Sequence, residues 1–476
     1  MIPKIFNFSS KKQHSKKLFA DLRLNNILSE NALLFMLNPC DKYEILRRQE
    51  LFRELIETGE TEALSKCLTE LKSLKHVTEL YKTVNNEIEK IYYKLEFMSA
   101  YINVVNSFLQ VTYAGELIND VVTYFTNQKQ LIFEMCETVK FCKECMSHFS
   151  PGLMSISETI WVTPDKSVND DYGCVCDLAS KLGLKTSRKK RFDLLVDESL
   201  SNALCLMYAN ELRDITFELE KFSDINFGDV LSYIPEIEFI FEIISLVNKA
   251  SDMGLKFTFP SVSNEPIYVA EGLADISMIA KETKTIICND LDFSDYSFSF
   301  LIGANSGGKT TFLRAVGINL ILFLIGCPVF SERAEIFPFD YVDAHFTTDE
   351  RYKNQGRLDD EITRIEDILK NASDKQSFLM FNETFSGTDE KRGYDLLKTT
   401  VDRLVKNKHF GIWVTHFNDV LRLNMPILTA EVSEDNERTY RISRSKNWSS
   451  SYANDILKKY KIDKKSLELR RKMSVN

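Results

Sequence analysis

Between residues 303 and 310 the chain reads Gly303-Ala-Asn-Ser-Gly-Gly-Lys309-Thr310, a complete G-x-x-x-x-G-K-[ST] pattern. Glycines at these positions let backbone N–H groups curl around phosphate oxygens, and a helix starting at the lysine adds positive potential from its N-terminus. Lys309 has the reach and charge for the β- and γ-phosphates of a nucleoside triphosphate, and the Thr310 hydroxyl suits Mg²⁺. The binding set is Gly303, Asn305, Gly307, Gly308, Lys309, Thr310 and Thr311, joined by Asn382 and Arg357 further along the chain, with ATP and Mg²⁺ as the cofactors. Further along, Ser377-Phe-Leu-Met-Phe-Asn382-Glu383 is an apolar run ending in a polar pair. Glu383 is the candidate general base that takes a proton from an attacking water. Where an aspartate is expected beside it stands Asn382, whose amide can accept a hydrogen bond from a Mg²⁺-bound water but brings no charge to the cation. A second apolar run ends in Thr415-His416-Phe417, where His416 can sense the γ-phosphate or orient water. Cys142-Lys-Glu-Cys145 and Cys174-Val-Cys176 leave two readings open, a zinc site or reduced structural thiols.

Such groups work only if rigid elements hold them at one edge. Strands are expected at 285–288, 298–302, 378–381 and 410–414, and helices at 310–325 and 391–406. That alternation specifies a mostly parallel sheet covered by helices. Before Phe259-Pro260 the pattern differs. Apolar residues recur every three or four positions from Leu64 to Leu95, which predicts one helical strut of about 45 Å at roughly 1.5 Å per residue. A second strut is predicted from Leu194 to Phe222 and a third helix from Pro235 to Ala250, while 150–191, rich in Pro, Gly, Asp and Asn, reads as loops at the far end of a helical hairpin. The fold class is therefore α + α/β, an all-helical domain over 1–260 followed by an α/β domain over 261–476. Only 17 glycines and 10 prolines in 476 residues fit this helix-rich reading. A net charge of −9 provides no global pull toward nucleic acid, so any such contact must be local. Lys185-Thr-Ser-Arg188-Lys189-Lys190-Arg191 is the candidate patch, with Lys11, Lys12, Lys16 and Lys17 a weaker one. The N-terminus lacks a secretory apolar core, and the apolar run Gly317–Phe330 falls short of the roughly 20 residues that span a bilayer. A cytoplasmic protein without membrane contact is expected.

In sequence order, Asn289-Asp290, Gly303–Thr310, Asn382-Glu383, Gly387-Thr388 and Thr415-His416-Phe417 resemble the MutS-type ATPases of the ABC superfamily, the DNA mismatch repair family. Ile325-Gly-Cys-Pro-Val329 is similar to the end of that family's P-loop helix, and Ser451-Tyr-Ala453 continues the likeness. Residues 45–56 resemble the helix that opens its core domain, and 237–260 its descending lever. The resemblance implies a helical core and lever domain (1–260, with 150–191 as lever tip or reduced clamp) and a P-loop ABC-type ATPase domain (261–476). It also implies ATP sites completed by an opposite subunit, hence a homodimer, and DNA gripped by the clamp.

Three departures qualify this. A core-like helix already at residue 45 leaves no room ahead of it for the family's mismatch-reading domain, and the Phe-x-Glu at Phe381-Asn-Glu383 belongs to the Glu383 strand. The stretch matching the family's signature loop, Asn354-Gln-Gly-Arg357-Leu-Asp-Asp-Glu361, keeps a glutamate and supplies Arg357 but has no hydroxyl. Asn382 is the third. The expected function is an ATP-hydrolysing, DNA-binding dimeric clamp in repair or recombination. The alternatives are a quality-control ATPase acting on branched DNA, RNA or ribosomes, and a nucleotide-gated scaffold with little turnover.

Overall fold

The computed structural model describes residues 3–6, 14–84, 87–112, 115–149, 153–156, 159–162, 194–196, 206, 209–223, 225, 227–281, 285–347, 357–433 and 438–444. The chain divides into two compact units, one of Met1–Phe6 with Glu57–Glu238, the other of Asn7–Ile56 with Phe239–Asn476. Helices dominate the first half of the sequence, and sheets with covering helices follow, an α + α/β chain.

In chain order the first helices are α1 (Lys16–Asp21), α2 (Glu30–Met36) and α3 (Lys42–Thr58). Ser15 and Ser29 cap the first two, each hydroxyl accepting an N–H of the opening turn, from Leu18 and Ala32. Then come α4 (Glu62–Thr83), α5 (Glu87–Leu109), α6 (Glu116–Thr126) and α7 (Lys129–Phe149). Their apolar stripes turn inward: Leu64, Cys67, Leu71 and Leu74 of α4 are buried, and Phe108 of α5 stacks on Phe125 of α6 with ring centres 5.3 Å apart. The single strut expected over 64–95 is two helices packed on each other. Val84 is extended (φ −87°, ψ 133°) and ends α4. The apolar period continues in step across that break and conceals it, although the poor helix formers Asn85 and Asn86 mark it in the sequence.

The expected loop segment holds strands β1 (Leu153–Ile156) and β2 (Thr159–Val162), which pair antiparallel with each other, and β2 pairs antiparallel with β3 (Leu194–Val196). The strut expected from Leu194 is thus corrected, because Leu-Leu-Val joins this small sheet and α8 spans only Ala209–Glu220. Short apolar runs do not distinguish strand from helix by period alone. Lys11, Lys12, Cys174, Cys176 and the Lys185–Arg191 patch lie outside the described residues. Lys16 and Lys17 are exposed on α1. Helix α9 (Tyr233–Asp252) contains the predicted third helix.

The remaining elements are β4 (Ser261–Val262), β5 (Tyr268–Leu273), β6 (Asn289–Asp292), β7 (Phe298–Ile302), α10 (Lys309–Leu324), β8 (Arg333–Ile336), β9 (Tyr341–Phe346), α11 (Arg357–Ala372), β10 (Ser377–Asn382), α12 (Glu390–Lys406), β11 (Phe410–Val414), β12 (Ile427–Val432) and β13 (Arg438–Arg444). Six strands form one sheet in the order β13-β12-β7-β11-β10-β9, parallel throughout except at β13. Its inner strands β7, β10 and β11 are buried along their whole length, as strands covered on both faces must be. Four further strands pair in the order β4-β8-β5-β6, a mixed sheet that the sequence pattern did not anticipate. The strand expected at 285–288 is instead irregular backbone, and the ladder starts at Asn289.

Helix α10 is buried on almost every side. Its buried Asn319 donates to the carbonyls of Ala274 and Ala315 and accepts from the Phe330 N–H. The helix ends with Gly326 at φ +76°, whose N–H bonds Phe323 while Cys327 N–H reaches Leu322, a paired cap that satisfies the last carbonyls. The N-terminal helix α1 packs against β9. Ser15 Oγ donates to Asp343 Oδ1 (3.0 Å), Arg364 of α11 donates to the same oxygen (2.7 Å), and Arg314 of α10 donates to the Asp21 carbonyl (3.3 Å). Burial pushes the Asp21 carboxyl up to about 7 against the partial opposition of Arg364. Among the described residues no helix is long and apolar enough to cross a membrane.

Candidate functional site

Strand β7 stops at Ile302, and the glycine loop turns the chain into α10. Gly303 has φ +124° and Gly308 has φ +92°, conformations that a side chain strains. A Cβ on Gly303 would also sit 3.0 Å from the Ala430 nitrogen on β12, so strand and loop approach closely only because that position is glycine. The first N–H groups of α10 have no partner within the helix and are available to an anion. Lys309 is buried, its ammonium donating to the carbonyls of Gly303 and Ala304 at 2.8 Å each. Burial lowers the Lys309 pKa, and the Glu383 carboxylate nearby partly restores it.

Strand β10 delivers the second group of residues. Thr310 Oγ1 donates to Asn382 Oδ1 (3.1 Å), so the two positions read as serving a cation meet directly. Glu383 follows with φ +53°, and Phe385 has φ +67°, a left-handed turn that non-glycine residues adopt only when surroundings impose it. Two hydrogen bonds do so. Glu383 N–H donates to the Val414 carbonyl (2.9 Å), and Phe385 N–H donates to Oε2 of the buried Glu361 on α11 (3.0 Å). Beside the turn, the hydroxyl of Thr384 and Nδ1 of His345 are 2.8 Å apart.

Gly307, Gly308, Lys309, Thr310, Thr311 and Glu383 line one cavity of about 520 Å³. Asn382 joins it through Thr310. Gly303 and Asn305 belong to the loop but are not in the cavity wall, and Asn305 is exposed. His416 is likewise exposed and outside that wall, its ring 4.9 Å from Phe417. Arg357 is the first residue of α11, and Asn354–Gly356 lie outside the described residues. Cys142 and Cys145 stand one turn apart on α7, with burial pushing the Cys142 thiol up to about 11.

The rest of the wall was not read from the sequence. Leu273, Met278, Ile287 and Phe312 form its apolar side, and Tyr440 of β13 closes it next to Gly308. Asn289 braces this closure: its amide donates to the Tyr440 carbonyl (3.1 Å) and its oxygen accepts the Ile442 N–H (2.7 Å). Tyr440 itself has φ +58°. Asn289 was visible as part of a motif, but nothing local in the sequence marks Tyr440, which only tertiary pairing brings to the loop. The donor set fits a nucleotide with its cation: helix N–H groups and an ammonium for phosphate, neutral oxygens of Thr310 and Asn382 for Mg²⁺ and its waters, and an apolar wall for a base.

A glycine loop leading from a strand of a mostly parallel sheet into a buried helix, with a carboxylate beside it at the end of a neighbouring strand, defines an α/β protein with a candidate anion site at its strand ends. Residues 299–463 match the family model of MutS domain V. The chain is 30% identical over 150 residues to the DNA mismatch repair protein msh-2 of Neurospora crassa, covering 31% of this chain and 16% of that protein. It is 24% identical over 249 residues to the DNA mismatch repair protein MutS of Geobacillus sp. (strain WCH70), covering 49% and 28%. It is 23% identical over 445 residues to Endonuclease MutS2 of Lactococcus lactis subsp. cremoris, covering 84% and 51%. The chain therefore spans about half or less of the length of these relatives.

Proposed function

We propose that this chain is a MutS-type ATPase: a P-loop ABC-type domain over 261–476 that binds and hydrolyses ATP with Mg²⁺ and, as a homodimer, gates a DNA-binding helical domain over 1–260. The observation that carries the reading is the convergence of Lys309, Thr310 and Glu383 on one cavity, with Asn382 bonded to Thr310. Lys309 would exchange its two carbonyl partners for β/γ-phosphate oxygens, and the α10 N-terminus would hold the same group. Mg²⁺, when bound, supplies the positive charge that neutralises the phosphates, with Thr310 as ligand and Asn382 reaching it through water. Glu383 takes the proton of a water that attacks the γ-phosphorus as the bond to the ADP oxygen breaks. His416, Arg357 and Asn305 enter as outer groups, with Arg357 offered to the partner's γ-phosphate. DNA as ligand and a cytoplasmic setting belong to the same proposal, the former supported by relatives named as DNA mismatch repair proteins.

Asn382 favours one second reading, a nucleotide-gated scaffold with slow turnover, because the amide brings no charge to the cation. Steady-state ATP hydrolysis by the whole chain, with and without duplex, branched DNA and structured RNA, tests both. Hydrolysis stimulated by DNA supports the clamp; ATP binding without turnover supports the scaffold; no ATP binding ends both.

A further inference from the structure

Away from the nucleotide cavity, within the helical unit, a cleft of about 500 Å³ runs between the end of α4, the start of α5 and α8. Its floor is apolar, made by the buried Ile91, Leu212 and Leu219. Along its walls stand three cations, Lys90, Lys94 and Arg213, none of which forms an ion pair among the described residues. Two aromatic rings open to solvent border it, Tyr81 at 39% exposure and Phe217 at 64%. The Lys221 ammonium lies 5.8 Å from the Phe217 ring centre, and its charge is shared with Glu218. Glu220 is the one described carboxylate in the lining. In a chain of net charge −9, three such cations and two bare rings around one concavity form a local and directional feature.

We propose that this cleft binds a single strand of nucleic acid, with Lys90, Lys94 and Arg213 on consecutive phosphates and the rings of Tyr81 and Phe217 stacked on unpaired bases. The inference deepens the nucleic-acid part of the proposed function and does not depend on ATP turnover. Single strands are held by a cationic groove plus aromatic platforms, whereas a duplex keeps its base faces stacked on one another and offers the rings nothing. An acidic peptide would engage the cations but leave both rings unused. The test is fluorescence anisotropy of labelled 20-nucleotide oligo(dT) and of a 20-base-pair duplex with the whole chain, at 50 and 200 mM salt. Three proteins are compared: the parent, Phe217→Ala, and the combined Lys90→Gln and Arg213→Gln variant. All substituted side chains are exposed, and circular dichroism and ATP binding check the fold. Phe217→Ala should weaken oligo(dT) binding about tenfold with little change in salt dependence, since stacking is not screened. The double variant should weaken it further and reduce the salt slope by about 0.7 for each phosphate that is no longer neutralised. Duplex binding should stay within twofold in both. If the variants bind oligo(dT) like the parent, or the parent binds duplex but not oligo(dT), the cleft assignment fails while the broader reading stands. If the parent binds neither nucleic acid, both fail. Binding of poly-glutamate, but not oligo(dT), that depends on these residues would overturn the assignment in favour of a protein partner.

Discussion

Glu361 illustrates how a residue outside the cavity governs one inside it. Its carboxylate accepts the Phe385 N–H and so holds the left-handed turn that begins at Glu383. Glu361→Ala would leave a buried N–H without that acceptor, a cost of about 1–3 kcal/mol that the turn can relieve by relaxing. ATP turnover should fall about 10- to 100-fold with ATP affinity little changed, and Glu361→Gln, which keeps an acceptor oxygen, should recover most of it. Initial rates across ATP concentrations separate the two parameters. Lys309→Ala should instead weaken ATP binding more than tenfold, at about 1.4 kcal/mol per factor of ten, because the cradle loses its buried ammonium. Asn382→Asp places a charge beside Thr310 and should raise turnover or steepen its Mg²⁺ dependence, measured by titrating the metal. The motif residues were legible because phosphate chemistry needs particular residue types at fixed spacing. Tyr440 was not, because its role comes from a strand crossing that no local pattern encodes.

Elements carry a different kind of constraint. Gly326 ends α10 at φ +76°, and a Cβ there would lie 2.5 Å from the Arg48 Cβ and 3.0 Å from the Ile45 carbonyl oxygen. Gly326→Ala should therefore destabilise the protein by about 2–4 kcal/mol, read by urea unfolding, even though alanine is the better helix former. Asp21 gives a pH-dependent counterpart at the end of α1. An acid held near 7 in the folded state and near 3.9 when unfolded binds more protons folded, so its contribution to stability declines as pH rises from about 4 through 7. Asp21→Asn removes that penalty and should stabilise the protein by about 1–2 kcal/mol at pH 8 and by less at pH 5, with solvent screening at this half-buried site reducing the gain. Strands β7, β10 and β11 and helices α10 and α12 were legible from the sequence, since each is an apolar run or stripe with clear polar boundaries. The four-stranded sheet was not. Asn289-Asp-Leu-Asp292 and Arg333-Ala-Glu-Ile336 are too short and too charged to announce strands, and their ladder partners supply the stability that their own residues do not.

At the scale of the whole molecule, one glycine loop per chain and an α11 that begins at Arg357 lead to an assembly prediction. If ATP sites are completed in trans, ATP should shift the chain toward a two-fold dimer by mass action. Light scattering of the Glu383→Ala variant with ATP at tens of micromolar should give twice the monomer mass, and without nucleotide a smaller value. A monomer in both states counts against trans completion, and a dimer indifferent to Arg357→Ala removes that residue from it. The pairing of Ser15 with Asp343 has a further consequence, one of timing. The two residues are 328 positions apart, so at about 5–20 residues per second a ribosome makes Asp343 roughly 15–65 s after Ser15. During that interval Leu18, Phe19 and Leu22, buried in the finished protein, have been synthesised but β9 has not, and the whole of Glu57–Glu238 emerges between them. Nascent chains arrested before Asp343 should stay open to protease at 14–28, and chains released past β12 should not. Helix α1 thus leaves the ribosome long before the strand it packs on.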